Sequence, residues 1–144
     1  VIERLRPFAE ARQIHFAIEE MADVSVLIPC SHLGRIVSNL LDNACKFSPP
    51  GSIVRVALRL EGSKAVFAVA DSGPGLDPTE QLHVFERFFR GAKARAQDIS
   101  GSGLGLALCK AIVTVHGGTI EAGNVPGGGA QFTVSFSASP SGTH

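Results

Sequence analysis

Tryptophan and tyrosine are both absent from this 144-residue chain, and nine phenylalanines are its only aromatics. An aromatic cage or a stacking platform for bases therefore has little to draw on. Cysteine is scarce as well: Cys30, Cys45 and Cys109 are odd in number and lack CxxC spacing. They read as small buried thiols in a reducing compartment, not as a disulfide framework or a zinc site. Net charge is missing too, 13 Lys+Arg balancing 13 Asp+Glu. Nucleic acids and anionic membranes demand a basic surface, so no nucleic-acid partner is expected. No apolar run approaches the ~20 residues of a membrane span, and no signal peptide is visible. A cytoplasmic location is expected. Because the chain opens on Val1 and not Met, it is also expected to be cut from a longer protein.

What is present is a core. At 44% hydrophobic and 18% charged residues, the chain has the material for one domain, which at this length buries roughly 70% of its unfolded surface. Residues 1–12 are charged and interrupted by Pro7, as at the end of a preceding helical segment or linker. His15 to Glu19 and Ser25 to Ile28 are strand candidates. A helix is expected from His32 to Phe47, capped by Ser31, because Leu33, Ile36, Val37, Leu40, Leu41 and Ala44 form one apolar stripe. Strands Ser52 to Leu60 and Ala65 to Ala70 follow, joined by a hairpin at Glu61-Gly62-Ser63. A short helix is expected from Pro78 to Val84, then a polar loop from Gly91 to Gly103. A second long helix, Gly103 to His116, is expected to bury Leu104, Leu108, Ala111, Ile112 and Val115, and to end at Gly117-Gly118. Thr119 to Ala122 and Ala130 to Phe136 close the chain as strands. This order predicts an α+β sandwich, a mixed sheet with helices layered on one face, spanning 13–137, with 138–144 as a disordered tail.

Four segments could carry chemistry. Asn39, Asn43 and Lys46 share one helix face. They read either as a solvated polar face or as amide oxygens for a hard cation such as Mg²⁺, with Lys46 meeting phosphate. Asp71-Ser72-Gly73-Pro74-Gly75 follows an apolar strand, and is either an ordinary turn or a carboxylate that accepts from an exocyclic amine on a flat ring. Gly101, Gly103, Leu104 and Gly105 open the second long helix, as a tight turn or as backbone donors for an anion. The spacing fits neither a Walker loop nor a dinucleotide fingerprint. Phe85-Glu86-Arg87-Phe88-Phe89 reads first as local core. His15, His32, His83, His116 and His144 have no mutual ligand spacing and read as structural or exposed.

Together and in this order, the four segments resemble the catalytic ATP-binding domain of bacterial sensor histidine kinases, in the GHKL superfamily. Asn39 to Phe47 resembles the N box and Asp71-x-Gly73-x-Gly75 the G1 box. Phe85 to Phe89 resembles the F box, Gly101-x-Gly103-x-Gly105-Leu106 the G2 box, and Gly127 to Gly129 the closing end of the family. The resemblance implies a Bergerat-type sandwich that binds ATP and Mg²⁺. Asn43 would ligate the metal with Asn39 nearby, Lys46 would contact phosphate, and Phe47 would lie against the nucleotide. Asp71 would read the adenine amine, Gly73 and Gly75 would shape the base pocket, and Arg87, Gly101, Gly103, Leu104 and Gly105 would contact the nucleotide, the glycines and Leu104 at its phosphates. Residues 91–102 would form the ATP lid.

Two features refine that expectation. Relatives that hydrolyse ATP or phosphorylate serine usually carry glutamate as base where this chain has Asn39. An amide cannot take a proton at neutral pH, which disfavours water activation and fits transfer to an acceptor that brings its own base. The acceptor histidine of such kinases is followed by an acidic residue, whereas His15, His32, His83 and His116 are followed by Phe16, Leu33, Val84 and Gly117. The expected partners are therefore a helical dimerisation segment carrying the acceptor histidine, and a response regulator. The fragment is expected to be monomeric and unable to autophosphorylate alone, its parent a homodimeric inner-membrane sensor. Alternatives are a non-catalytic nucleotide-sensing module of the same fold and a GHKL ATPase fragment.

Overall fold

A computed structural model of the chain describes residues 13–22, 24–89 and 104–140. The elements run β1 (His15–Met21), β2 (Val24–Ser25), α1 (Cys30–Phe47), β3 (Ile53–Glu61), β4 (Lys64–Ala70), α2 (Pro78–His83), α3 (Gly105–Val115), β5 (Thr119–Asn124), β6 (Ala130–Ser137) and β7 (Ser139–Pro140). Five of the strands form one sheet in the order β1-β3-β4-β6-β5. β1 pairs with β3 in parallel and every other pairing in that sheet is antiparallel. The sheet is mixed because α1 supplies the crossover that a parallel neighbour requires.

Strand alternation decides which face is covered. On β6, Ala130, Phe132, Val134 and Phe136 are buried while Gln131, Thr133 and Ser135 are partly exposed. Val69 and Phe67 lie opposite Phe132 and Val134, and Val56 opposite Val69, so the same layer continues across β4 and β3. Against it α1 sets Ile36, Leu40, Leu41, Ala44 and Cys45, and α3 sets Cys109 and Val113. The expected α+β sandwich with helices on one face is what forms.

Several local expectations shift. α1 begins at Cys30, with Pro29 at the N-cap and no side-chain cap bond, so Ser31 lies within the helix and does not cap it. Cys30 is exposed; only Cys45 and Cys109 are buried. The expected strand Ser25 to Ile28 shrinks to Val24–Ser25, which pairs antiparallel with Ser139–Pro140. Two residues assigned to the tail are therefore in a ladder, while 141–144 lie outside the described residues. The largest change is in α3. Leu104 and Leu108 are each 37% exposed, Val115 is 80% exposed and Ala111 is exposed as well, so most of the expected stripe faces outward. Ile112 packs against the core as expected, and Cys109 and Val113 are the fully buried positions. α3 is apolar nearly all round, and the contact goes to the face narrow enough for close helix packing. Its C-terminus closes as expected: Gly117 N–H donates to the Thr114 carbonyl at 3.0 Å and Gly118 N–H to the Val113 carbonyl at 2.9 Å.

Candidate nucleotide-binding site

Asp71 follows β4 directly and is 4% exposed. Its Oδ1 accepts from the backbone N–H of Gly73 and of Ala130, each at 2.9 Å, and its own N–H donates to the Ala130 carbonyl at 2.9 Å. Burial raises the carboxyl pKa, and the bonds from Ala130 and Gly73 oppose that rise. The described residues place no hydrogen bond on Oδ2, which leaves that oxygen to a ligand.

The turn after Asp71 is held from three sides. A Cβ on Gly73 would lie 2.5 Å from the Phe47 carbonyl oxygen, so the end of α1 presses directly on the turn. Ser72 N–H donates to Ser48 Oγ at 3.1 Å, and Ser72 Oγ donates to the Ile53 carbonyl at 2.6 Å. Gly129 has φ +96°, and a Cβ there would lie 2.1 Å from the Asp71 carbonyl oxygen. Only glycine lets the β5–β6 turn close over the end of β4. α2 then starts on a capping box: Asp77 Oδ1 accepts from Glu80 N–H at 2.8 Å and Glu80 Oε1 accepts from Asp77 N–H at 3.0 Å.

Midway along α1, Asn39 Nδ2 donates to the Gly105 carbonyl at 3.3 Å. Asn39 also hydrogen-bonds the Cys109 thiol, which lowers the thiol pKa against burial; burial prevails and the pKa rises to about 11. Asn39 is thus occupied between the long helices through its amide nitrogen. Asn43, one turn on, is half-buried. Lys46 pairs with Asp42 at 3.1 Å. Phe47 is half-buried.

α1 therefore joins the expected segments. From the Asn39 contact with Gly105 to the Phe47 contact with Gly73 is eight residues, about 12 Å of helix at 1.5 Å per residue. Asn43 lies midway, and this is the scale of a nucleoside polyphosphate laid along the helix. Of the remaining expected residues, Arg87 is exposed, its guanidinium 5.7 Å from the Phe88 ring. Leu104 immediately precedes α3. Gly101 and Gly103, with loop residues 91–100, lie outside the described residues. The expected Phe cluster divides: Phe85 packs edge-on against Phe132, with ring centres 6.1 Å apart, whereas Phe88 is 65% exposed.

Sequence reasoning missed Asn124, Ser48 and Ala130. Asn124 ends β5, and its side chain grips the backbone of Leu76. Asparagine is depleted in strands, and that was the available signal. Among the described residues, no three His, Cys, Asp or Glu side chains cluster to hold a metal. A cation here would rest on neutral amide oxygens plus ligand phosphates, a donor set that suits Mg²⁺.

A family model described as "Histidine kinase-, DNA gyrase B-, and HSP90-like ATPase" matches residues 30–140. The sensor-like histidine kinase SenX3 of Mycobacterium tuberculosis is 39% identical over 137 residues, covering 95% of this chain and 33% of that protein. The histidine-protein kinase/phosphatase MprB of Mycolicibacterium vanbaalenii is 53% identical over 98 residues, covering 67% of this chain and 20% of its own. The chain spans about a third or less of these curated relatives. Among solved structures, a mycobacterial sensor histidine kinase MprB superposes with TM-score 0.84 at 36% identity, over 96% of this chain and 90% of that one. Full-length ShkA in complex with AMPPNP superposes with TM-score 0.78 at 29% identity, over 96% of this chain and 29% of ShkA.

Proposed function

The chain belongs to the histidine kinase-, DNA gyrase B- and HSP90-like ATPase family, as the catalytic domain of a sensor histidine kinase, and from that premise we propose that it binds Mg·ATP along α1 for phosphoryl transfer to a histidine. The carrying observation is Asp71, whose Oδ1 is saturated by two backbone donors while Oδ2 stays available to accept from the adenine amine. Asn43 would hold Mg²⁺ through its side-chain oxygen, with the Asn39 oxygen beside it and the Asn39 nitrogen kept on Gly105. When bound, Mg²⁺ would neutralise charge on the β- and γ-phosphates. Lys46 would reach the phosphates from the same helix face, and the backbone N–H groups opening α3 would face them.

Asn39 supports transfer over hydrolysis, because an amide supplies no base to activate water. The acceptor would therefore bring its own. That acceptor would be a histidine on a helical dimerisation segment, and the phosphoryl group would pass on to a response-regulator aspartate. The outward apolar face of α3, with Leu104, Leu108 and Val115, supports docking of such a helix. The functional unit would span 13–137.

Calorimetry with Mg·ATP tests the site. Asn43→Ala and Asp71→Asn should each weaken binding by about tenfold or more. Asp71→Asn keeps an Oδ1 for Gly73 and Ala130 but turns a donor toward the adenine amine. No binding by the wild-type chain, or unchanged binding by both variants, would refute the assignment. Adding the parent's helical segment with labelled ATP should yield phosphohistidine; binding without transfer would favour a nucleotide-sensing module.

A further inference from the structure

The segment from Asp71 to Leu76 is held at both ends by the same rung of the sheet. Asn124 and Ala130 are register partners on β5 and β6. Ala130 makes two hydrogen bonds to Asp71: its N–H donates to Asp71 Oδ1 and its carbonyl accepts from the Asp71 N–H. Asn124 takes the other end: Leu76 N–H donates to its Oδ1 at 2.7 Å, and its Nδ2 donates to the Leu76 carbonyl at 2.8 Å. The two neighbours fix the amide orientation, since Leu76 offers one donor and one acceptor. An uncharged amide can satisfy both, in the manner of an added strand. Alanine offers neither bond, and aspartate would set a carboxylate oxygen against the Leu76 carbonyl. Asn124 also abuts Gly75, where a Cβ would lie 2.8 Å from Oδ1.

We propose that Asn124 is a positioning residue for the base pocket: it sets the position of Gly75 and Leu76 relative to Asp71, and so the fit of a purine. The inference rests on the nucleotide-site reading above and assigns to this side chain a role in base affinity, not phosphate affinity. Asn124 is exposed, so replacing it leaves the core intact.

The test compares Mg·ATP with magnesium tripolyphosphate, which lacks the base, on the chain bearing Asn124→Ala or Asn124→Asp. Loss of two side-chain hydrogen bonds predicts about tenfold weaker ATP binding for Asn124→Ala, with tripolyphosphate affinity changed less than about twofold. Asn124→Asp, nearly isosteric, should bind ATP no better than Asn124→Ala. Unchanged ATP affinity, or equal loss for both ligands, would overturn the proposal, as would wild-type affinity in Asn124→Asp. Amide hydrogen exchange gives a readout without ligand. The Leu76 amide should exchange about tenfold faster in Asn124→Ala while that of Ala130 does not change. If wild type binds no ATP, the site reading fails; faster Leu76 exchange would then show the grip alone, and an unchanged rate would remove that too.

Discussion

The two ends of the candidate site are built differently. At the base end, Asp71, Ser72, Gly73 and Leu76 are held by β6, Ser48, the end of α1 and Asn124, with almost no free volume between backbones. At the start of α3, the described tie to α1 is the Asn39 amide at 3.3 Å together with the neighbouring thiol, and a Cβ on Gly105 would meet Asn39 Cγ at an ordinary 3.8 Å. The proposed base recognition would thus be a property of the folded sheet. The phosphate end leaves room beside its backbone for a ligand to approach.

Gly129→Ala is the strongest way to break that contrast. The new Cβ would sit 2.1 Å from the Asp71 carbonyl oxygen on a backbone at φ +96°. Neither the strand end nor the turn can yield without losing the Ala130 bonds. We expect a loss of about 3 kcal/mol in urea unfolding. Wild-type stability would mean the base end is not built as tightly as its contacts imply.

Asp71→Asn has a smaller effect with a defined pH signature. Burial holds the folded pKa of Asp71 above its ordinary 3.8, so the folded state binds this proton more tightly than the unfolded chain. The resulting stabilisation is full below the unfolded pKa and is lost as pH rises through the folded one. Relative to wild type, Asp71→Asn should gain stability as pH rises across that window, then level off. Urea titrations at a series of pH values would show it, and a constant difference would mean the fold does not oppose ionisation. The same variant should bind Mg·ATP poorly, which separates the cost of burying the carboxylate from its use.

The contrast between α1 and α3 also explains how much the sequence revealed. α1 carries its apolar residues on one side, so Ile36, Leu40, Leu41 and Ala44 identified the core side, and Asn39 and Asn43 stood out on a stripe beside it. α3 carries apolar residues around most of its circumference, so periodicity offered two faces; of Leu104, Leu108, Ala111, Ile112 and Val115 only Ile112 packs against the core, where Cys109 and Val113 are fully buried. The pairing of Val24–Ser25 with Ser139–Pro140 joins distant segments too short for propensity to register. Asp71 and its glycines were legible because a carboxylate and two glycines after an apolar strand form a local pattern. Asn124 was not, since its partner is 48 residues away and only the sheet register brings them together.

Gly105→Ala is the gentlest test and bears on the phosphate end alone. Gly105 is the first residue of α3, and alanine there lowers the entropic cost of helix formation without meeting anything closer than 3.8 Å. Stability in urea should be unchanged or rise by up to about 0.5 kcal/mol. Mg·ATP affinity should fall all the same, because a Cβ occupies space beside backbone groups proposed to face phosphate. A loss of stability would mean that α3 starts in contacts as close as those around Asp71, and the difference between the two ends would disappear. Unchanged affinity with unchanged stability would place the phosphates elsewhere along α1, nearer Asn43 and Lys46.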